Sequence, residues 1–247
     1  MKILVCISHV PDTTAKISFI DDNKNYNKEG QQFIIGPNEE LALTRAIDLK
    51  EAKGGTITAL TVGLPEVEPT LRKALAMGAD DAIRVNAEPK DAYNVAVQIA
   101  EVIKNNAFDI VVTGRESIDY NGGQVGEMIA EILNIPSISG VNNLEDIEED
   151  KAILQREIDG GFEKIECSFP FVLSGQKGIA AEPKIPAMRG IMMARRKPLN
   201  VIEPIAFEDT TEVLEHSLPE AKAACTMVDA ENMSELVRLL HEEAKVI

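Results

Sequence analysis

The chain has 247 residues, 45% of them hydrophobic, which is enough for one large α/β domain or for a domain with an appendage. Its 41 acidic and 25 basic side chains leave a formal charge of −16, a surface that repels nucleic-acid phosphates and anionic lipid heads. Three scattered cysteines (Cys6, Cys167 and Cys225) lack metal-ligand spacing and suit a reducing compartment. The first residues run straight into Lys2-Ile3-Leu4-Val5-Cys6-Ile7, and no apolar stretch is long enough to span a bilayer. A cytoplasmic location is therefore expected, without nucleic acid or membrane insertion.

Residues 2–10 read as a buried strand, because their apolar positions are continuous rather than alternating. Residues 16–35 read as a peripheral hairpin around Asp21-Asp22-Asn23-Lys24-Asn25. A helix is expected after Asn38 as N-cap, with Glu39 and Glu40 in its positive first turn and Gly54-Gly55 at its end. Then come a strand at 56–62, a helix near 66–77 closed by Gly78, a strand at 82–85, a helix near 91–105 and a strand at 109–113. Such βαβα alternation predicts a parallel sheet with right-handed crossovers and helices on both faces. Ligands of such sheets sit at the carboxyl ends of the strands, here Cys6 to Pro11, Val62-Gly63 and Gly114-Arg115.

The stretch from Val111 to Gly126 carries the most information. A buried strand leads through Gly114, Arg115, Glu116, Ser117, Ile118, Asp119, Tyr120, Asn121, Gly122 and Gly123 to a helix opening at Gln124-Val125. Unpaired N–H groups at a helix start carry partial positive charge and hold phosphates in α/β proteins. The spacing is neither a Walker A loop nor GxGxxG, and an ordinary strand–loop–helix connection remains an open reading. Beyond Pro136, strands at 153–158 and 165–169 flank the turn Asp159-Gly160-Gly161, and Pro170 to Leu173 returns to a buried strand. Residues 178–228 show no period despite their apolar content, which suits an extended arm laid over another subunit. A helix near 231–244 closes the chain, with Met233, Leu236, Val237 and Leu240 on one stripe.

His9, His216 and His241 have no ligand-spaced neighbours, no nucleophile–base pair is evident, and the acidic run Glu145 to Asp150 reads as exposed loop. Neither a metal site nor catalytic residues are expected. Cys6 reads as a small apolar wall residue, and Asp12 and Asp119 as loop caps. The run Arg195-Arg196-Lys197 is either solvated surface or, beside three methionines in an acidic chain, a docking patch.

Several stretches together resemble the β (small) subunit of electron transfer flavoproteins. They are Arg156-Glu157-Ile158-Asp159-Gly160-Gly161-Phe162-Glu163 followed by Pro170-Phe171-Val172-Leu173, Thr70 to Asp80 (TLRKALAMGAD), and Pro186 to Pro198 (PAMRGIMMARRKP). The resemblance implies a doubly wound, mostly parallel sheet of the adenine-nucleotide α-hydrolase-like type, with an added β-hairpin and a long C-terminal arm ending in a helix. Residues 1–195 would form the nucleotide-binding domain, and 196–247 the arm packed on a partner. It implies an electron carrier of fatty acid β-oxidation rather than an enzyme: an α subunit holds the FAD, and this chain binds AMP structurally. The nucleotide would be held by Cys6, Gly36, Pro37, Asn38, Glu39, Val62 and the loop from Gly114 through Gln124 to Val125. Met188 would anchor acyl-CoA or other flavin dehydrogenases, with Ile191, Met192, Arg195 and Arg196 around it, and a membrane quinone oxidoreductase would accept the electrons.

Two positions depart from the family pattern: Gly36-Pro37-Asn38-Glu39 stands where Asn and then Pro-Phe-Asp or Pro-Asn-Asp is usual, and Ser8-His9 replaces a basic residue. Val10-Pro11-Asp12-Thr13-Thr14 resembles bifurcating members, in which a second FAD replaces AMP and NADH is oxidised. A nucleotide sensor or adenylate-transferring enzyme on the same sheet is the third reading; it would need a basic or His-containing phosphate loop, and only Arg115 qualifies.

Overall fold

In the computed structural model, which describes residues 1–148, 150–222 and 224–247, nine strands form one sheet in the order β11-β10-β9-β12-β8-β1-β6-β7-β13. Glu149, inside the acidic run singled out above, lies outside the described residues. β1 (Lys2–Cys6) is followed by β2 (His9–Pro11), β3 (Phe19–Ile20), β4 (Asn25–Tyr26) and β5 (Phe33–Ile35). The alternating part comprises α1 (Pro37–Lys53), β6 (Thr56–Val62), α2 (Glu68–Met77), β7 (Asp81–Val85), α3 (Ala92–Lys104), β8 (Ile110–Gly114) and α4 (Val125–Leu133). β9 (Ser137–Ile147), β10 (Lys151–Ile158), β11 (Gly161–Ser168) and β12 (Phe171–Gly175) follow, then α5 (Met188–Ala194), β13 (Leu199–Ile202) and α6 (Met233–Arg238).

Seven neighbouring strands from β9 to β13 run parallel; β10 is antiparallel to β9, and β11, the other arm of its hairpin, is antiparallel to β10. The expected α/β class and mostly parallel sheet are both present. β1 has helices on each side. Ile3 and Val5 pack with α1 and α2 residues such as Leu43, Ile47, Leu71 and Leu75. Leu4 and Cys6 pack with Ala96 and Ile99 of α3 and Ile129 of α4. A strand covered on both faces must be apolar at every position, which is why its sequence lacks alternation. The chain moves from β1 outward to β6 and β7, then crosses back to β8 on the other side of β1. The order therefore reverses between β1 and β8, the position where such sheets open a crevice.

Local chemistry accounts for most element ends. Asp91 caps α3 by accepting from the Asn94 N–H at 2.7 Å. α1 begins two residues earlier than expected: Gly36 is its N-cap and Pro37 its first residue, where a fixed φ and a missing N–H cost nothing. The Asp159-Gly160 turn joins β10 to β11, with Ile158 paired to Gly161 and Gly160 at φ 85°. β9 was not apparent from sequence; in its pattern of one buried residue in three, half-buried and exposed positions blur the strand period. The stretch 178–228 contains α5 and the edge strand β13, both too short to show a period; β13 pairs with β7 through four residues.

Residues 1–17 and 27–213 make one unit, residues 18–26 and 214–247 another. In the second, Phe19 stacks on His216 with ring centroids 5.0 Å apart, and the His216 N–H donates to Asn23 O at 2.8 Å. Its helix α6 continues as a π-turn through Leu239–Glu243, and Met233, Leu236 and Val237 of the expected apolar stripe stay exposed.

The most sensitive core position lies on β12, inserted between β8 and β9. Phe171 is fully buried and stacks on Phe169. Phe171→Ala is expected to lower unfolding free energy by about 3–5 kcal/mol, read as a lower urea midpoint with an unchanged slope.

Candidate functional site at the carboxyl end of the sheet

Cys6 ends β1, Val62 ends β6 and Gly114 ends β8, and these three neighbouring strand ends form the floor of the site. Cys6 is buried; burial, reinforced by the charge of Glu39, pushes its thiol pKa up to about 12, the environment of an unreactive thiol.

The start of α1 is tied to both flanking loops. Asn38, the second residue of the helix rather than its cap, donates from Nδ2 to Glu116 O at 3.1 Å. Glu39 is buried, and Ser8 Oγ donates to its Oε1 at 2.6 Å. Ser8 was not among the expected site residues; a lone serine after a strand carries no sequence signal. Gly36 and Gly114 lie against the Glu39 carboxyl, which would have to move if either carried a Cβ. A Cβ on Gly36 would come within 2.2 Å of Glu39 Oε2, and one on Gly114 within 2.6 Å of the carboxyl carbon.

The loop after β8 is turned rather than extended. The Asn121 N–H donates to Ser117 O at 2.8 Å, and Asp119 Oδ1 accepts from the Tyr120 N–H at 3.0 Å. Ile118 is half-buried beneath this turn, and Arg115 forms an ion pair with Glu116. Asn121 (φ 51°) and Gly123 (φ 57°) both adopt left-handed backbone, and Asn121 to Gln124 are exposed. The Gln124 side chain makes no capping bond at the start of α4, whose first N–H groups have no partner within the helix. Two open glycines ahead of an uncapped helix start make a donor set that fits a phosphate.

An open cleft of about 560 Å3 is lined by His9, Lys28, Phe33, Glu66, Thr70 and Lys73. His9 stacks on Phe33 with centroids 4.4 Å apart, and its Nδ1 lies 2.7 Å from Thr70 Oγ1. Burial, with Lys28 nearby, holds the His9 pKa below its ordinary value. Among the described residues no cluster of His, Cys, Asp and Glu could hold a metal ion, and no helix is long and apolar enough to cross a membrane.

The second group of expected site residues lies apart from the strand ends, on α5 against α2. Met188 is 74% exposed and Met192 67%, with Ile191, Arg195 and Arg196 also exposed. Lys197 behaves differently from its basic neighbours. Its Nζ donates to Leu75 O at 2.9 Å and to Ala79 O at 2.5 Å, closing the carbonyl end of α2. Arg72 donates from Nη1 to Ala194 O and Lys197 O, both at 2.8 Å. Gly190 permits the contact, since a Cβ there would sit 2.5 Å from Ala76 O. Two cations thus hold the segment down, leaving Arg195 and Arg196 to face outward.

Residues 24–206 match the family model described as the electron transfer flavoprotein domain. The chain is 38% identical to the electron transfer flavoprotein subunit beta of Bacillus subtilis (strain 168), over all of both chains. Identity is also 38% to the protein of the same name from Syntrophomonas wolfei, over 94% of this chain and 91% of that one. It is 30% identical to the caffeyl-CoA reductase-Etf complex subunit CarD of Acetobacterium woodii, over 99% and 98%.

Removing the clamp should loosen α5. Lys197→Met leaves two helix-end carbonyls without their donor and is expected to cost about 1–3 kcal/mol, whereas Arg196→Ala should stay within about 0.5 kcal/mol. Parallel thermal melts of the two variants measure the difference.

Proposed function

The chain belongs to the electron transfer flavoprotein family, in which a relative matched over its full length is named subunit beta, and on that premise we propose that it binds AMP as a structural ligand and completes a heterodimer whose α subunit carries the FAD. The chain performs no bond chemistry in this reading; the partner's flavin supplies the redox step when bound. In the cytoplasm, its residues hold the nucleotide and shape a docking surface for acyl-CoA or other flavin dehydrogenases, from which electrons pass towards a membrane quinone oxidoreductase.

The observation that carries the proposal is the Gly114–Val125 loop, which ends on an uncapped helix beside the point where strand order reverses. Backbone N–H groups from Gly122 to Gly126 would receive the phosphate, Asp119 a ribose hydroxyl, and Cys6 and Val62 would wall the base. The exposed apolar stripe of α6 supports burial of residues 196–247 on the α subunit.

A second reading is supported by the cleft at His9, which would accommodate the further half of a dinucleotide, and by the relative that is a subunit of a reductase–Etf complex. In it a second FAD takes the place of AMP and NADH is the donor. Acid release of nucleotide from the purified complex decides between the two: one flavin with one AMP supports the first, two flavins the second.

Two substitutions test the site assignments. Gly123→Val forces a branched side chain into left-handed backbone and brings its Cβ to 3.2 Å of Arg115 O. Nucleotide content and complex stability are expected to fall together, because a tightly bound ligand is part of the stability; full occupancy would place the site elsewhere. Met188→Ala should weaken dehydrogenase docking by about 1–3 kcal/mol while leaving folding, flavin content and dithionite reduction unchanged. Equal electron-transfer rates at limiting dehydrogenase would remove Met188 from the interface.

A further inference from the structure

Gln98 lies in the middle of α3, buried beside Ala96 and Ile99. A buried side-chain amide needs both a donor and an acceptor. Both come from one backbone residue of the C-terminal segment. Gln98 Nε2 donates to Ile205 O at 2.9 Å, and the Ile205 N–H donates to Gln98 Oε1 at 3.0 Å. Two antiparallel strand residues exchange bonds in this way; here one of the two peptide groups is replaced by a helix side chain. Leucine has no polar atoms for the exchange, and glutamate has no N–H to donate.

The contact continues on both sides. Upstream, β13 pairs with β7, and the Asn86 N–H donates to Ile202 O at 2.9 Å. Downstream, Phe207 packs edge-on against Tyr93 with ring centroids 5.4 Å apart, and Asp209 forms an ion pair with Lys90. The hydroxyls of Thr210 and Thr211 donate to Asp91 Oδ2 at 2.9 and 2.8 Å, so Asp91 caps α3 with one oxygen and holds the segment with the other. These outer polar ties are solvent-exposed and individually weak, whereas the Gln98 amide is shielded and carries the larger share. With the Lys197 clamp on α2, the chain is committed to its own sheet domain from 197 to 211. That unit ends at Val213, and the residues beyond it leave Leu214, Leu218, Met227, Met233, Val237 and Ile247 exposed. Ile205, with both backbone groups engaged by Gln98, is not free to pair with a partner; apolar side chains left in water call for one.

We propose that residues 203–211 are a strap on α3, locked by Gln98, which forms within this chain and gives residues 214–247 a fixed root from which to dock on the α subunit. The inference rests on the reading that the C-terminal segment packs on that subunit, and it moves the start of the docking segment from 196 to 214. Gln98 is thereby a positioning residue for assembly. With the strap closed, the docking segment searches a small volume. With it open, residues 203–211 become loose chain as well, and the effective concentration of the segment at its receptor falls.

The test follows hydrogen exchange across 203–211 and the dissociation constant of the α-subunit complex for the full-length wild type, Gln98→Glu and Ile205→Pro. In wild type the Ile205 amide is expected to exchange slowly before the α subunit is added, and to change by less than about twofold afterwards. Gln98→Glu removes the donor and sets a carboxylate against Ile205 O. Exchange across the strap should then rise by about tenfold or more, and the complex should weaken by about tenfold. Nucleotide content at saturating α subunit should stay unchanged, which separates a failure of assembly from general unfolding. Ile205→Pro deletes the bonded N–H from the segment's own side, away from the core, and should weaken the complex to a similar extent. It keeps the proposal testable if Gln98→Glu does not fold. Protection of 203–211 that arises only after the α subunit is added would overturn the strap. Fast exchange in both variants with unchanged affinity would overturn its part in assembly. Unchanged affinity when Met233 and Val237 are both replaced by serine would instead remove the docking reading on which the inference rests.

Discussion

β1 pairs in parallel with β6 through five residues and with β8 through three, and the chain arrives at these neighbours from opposite directions. The open crevice at the carboxyl end of the sheet follows from that reversal. Adjacent crossovers in one direction cover the ends of the strands they join, whereas at a reversal the connections lead away from each other and leave the strand ends open. The loops after β1 and β8 therefore have room to carry Ser8 and the Gly114–Val125 turn, with Glu39 of α1 packed against both strand ends. The same constraint makes β1 apolar on both faces, with Ile3 and Val5 serving one layer of helices and Leu4 and Cys6 the other.

Polar chemistry at the crevice is consequently short-range and internal. Asn38 reaches Glu116, Ser8 reaches Glu39, and Arg115 is occupied by Glu116. What remains open is backbone, namely the uncapped start of α4 and the left-handed turn at Asn121 and Gly123. A site made of N–H groups recognises charge and shape without needing ionisable side chains.

The elements most legible in the sequence were those whose physics is local. Continuous apolar runs marked β1, β6 and β8, Gly54 and Gly78 ended α1 and α2, and Asp159-Gly160 fixed the hairpin. The loop at 114–125 could be read because glycines and a helix start sit at fixed offsets after a buried strand. Less legible were features decided by distant partners. β9 and β13 lack clean alternation because each is covered unevenly, and Asn38 was read as a cap although Pro37 already begins the helix. Neither the Ser8–Glu39 hydrogen bond nor the use of Lys197 as a clamp has a sequence signature, since each joins residues far apart in the chain.

The two outer strands bear on how this sheet ends. β11 places Glu163, Lys164 and Glu166 among its eight residues, and β13 is four residues long with Pro198 before it and Pro204 shortly after. Charges and prolines at a border make it a poor template for a further strand from another molecule. Nine parallel and antiparallel strands with unguarded borders would invite end-to-end stacking into fibrils; here the borders themselves stop the sheet from growing. Colloidal stability is in this sense written into the margins of the fold.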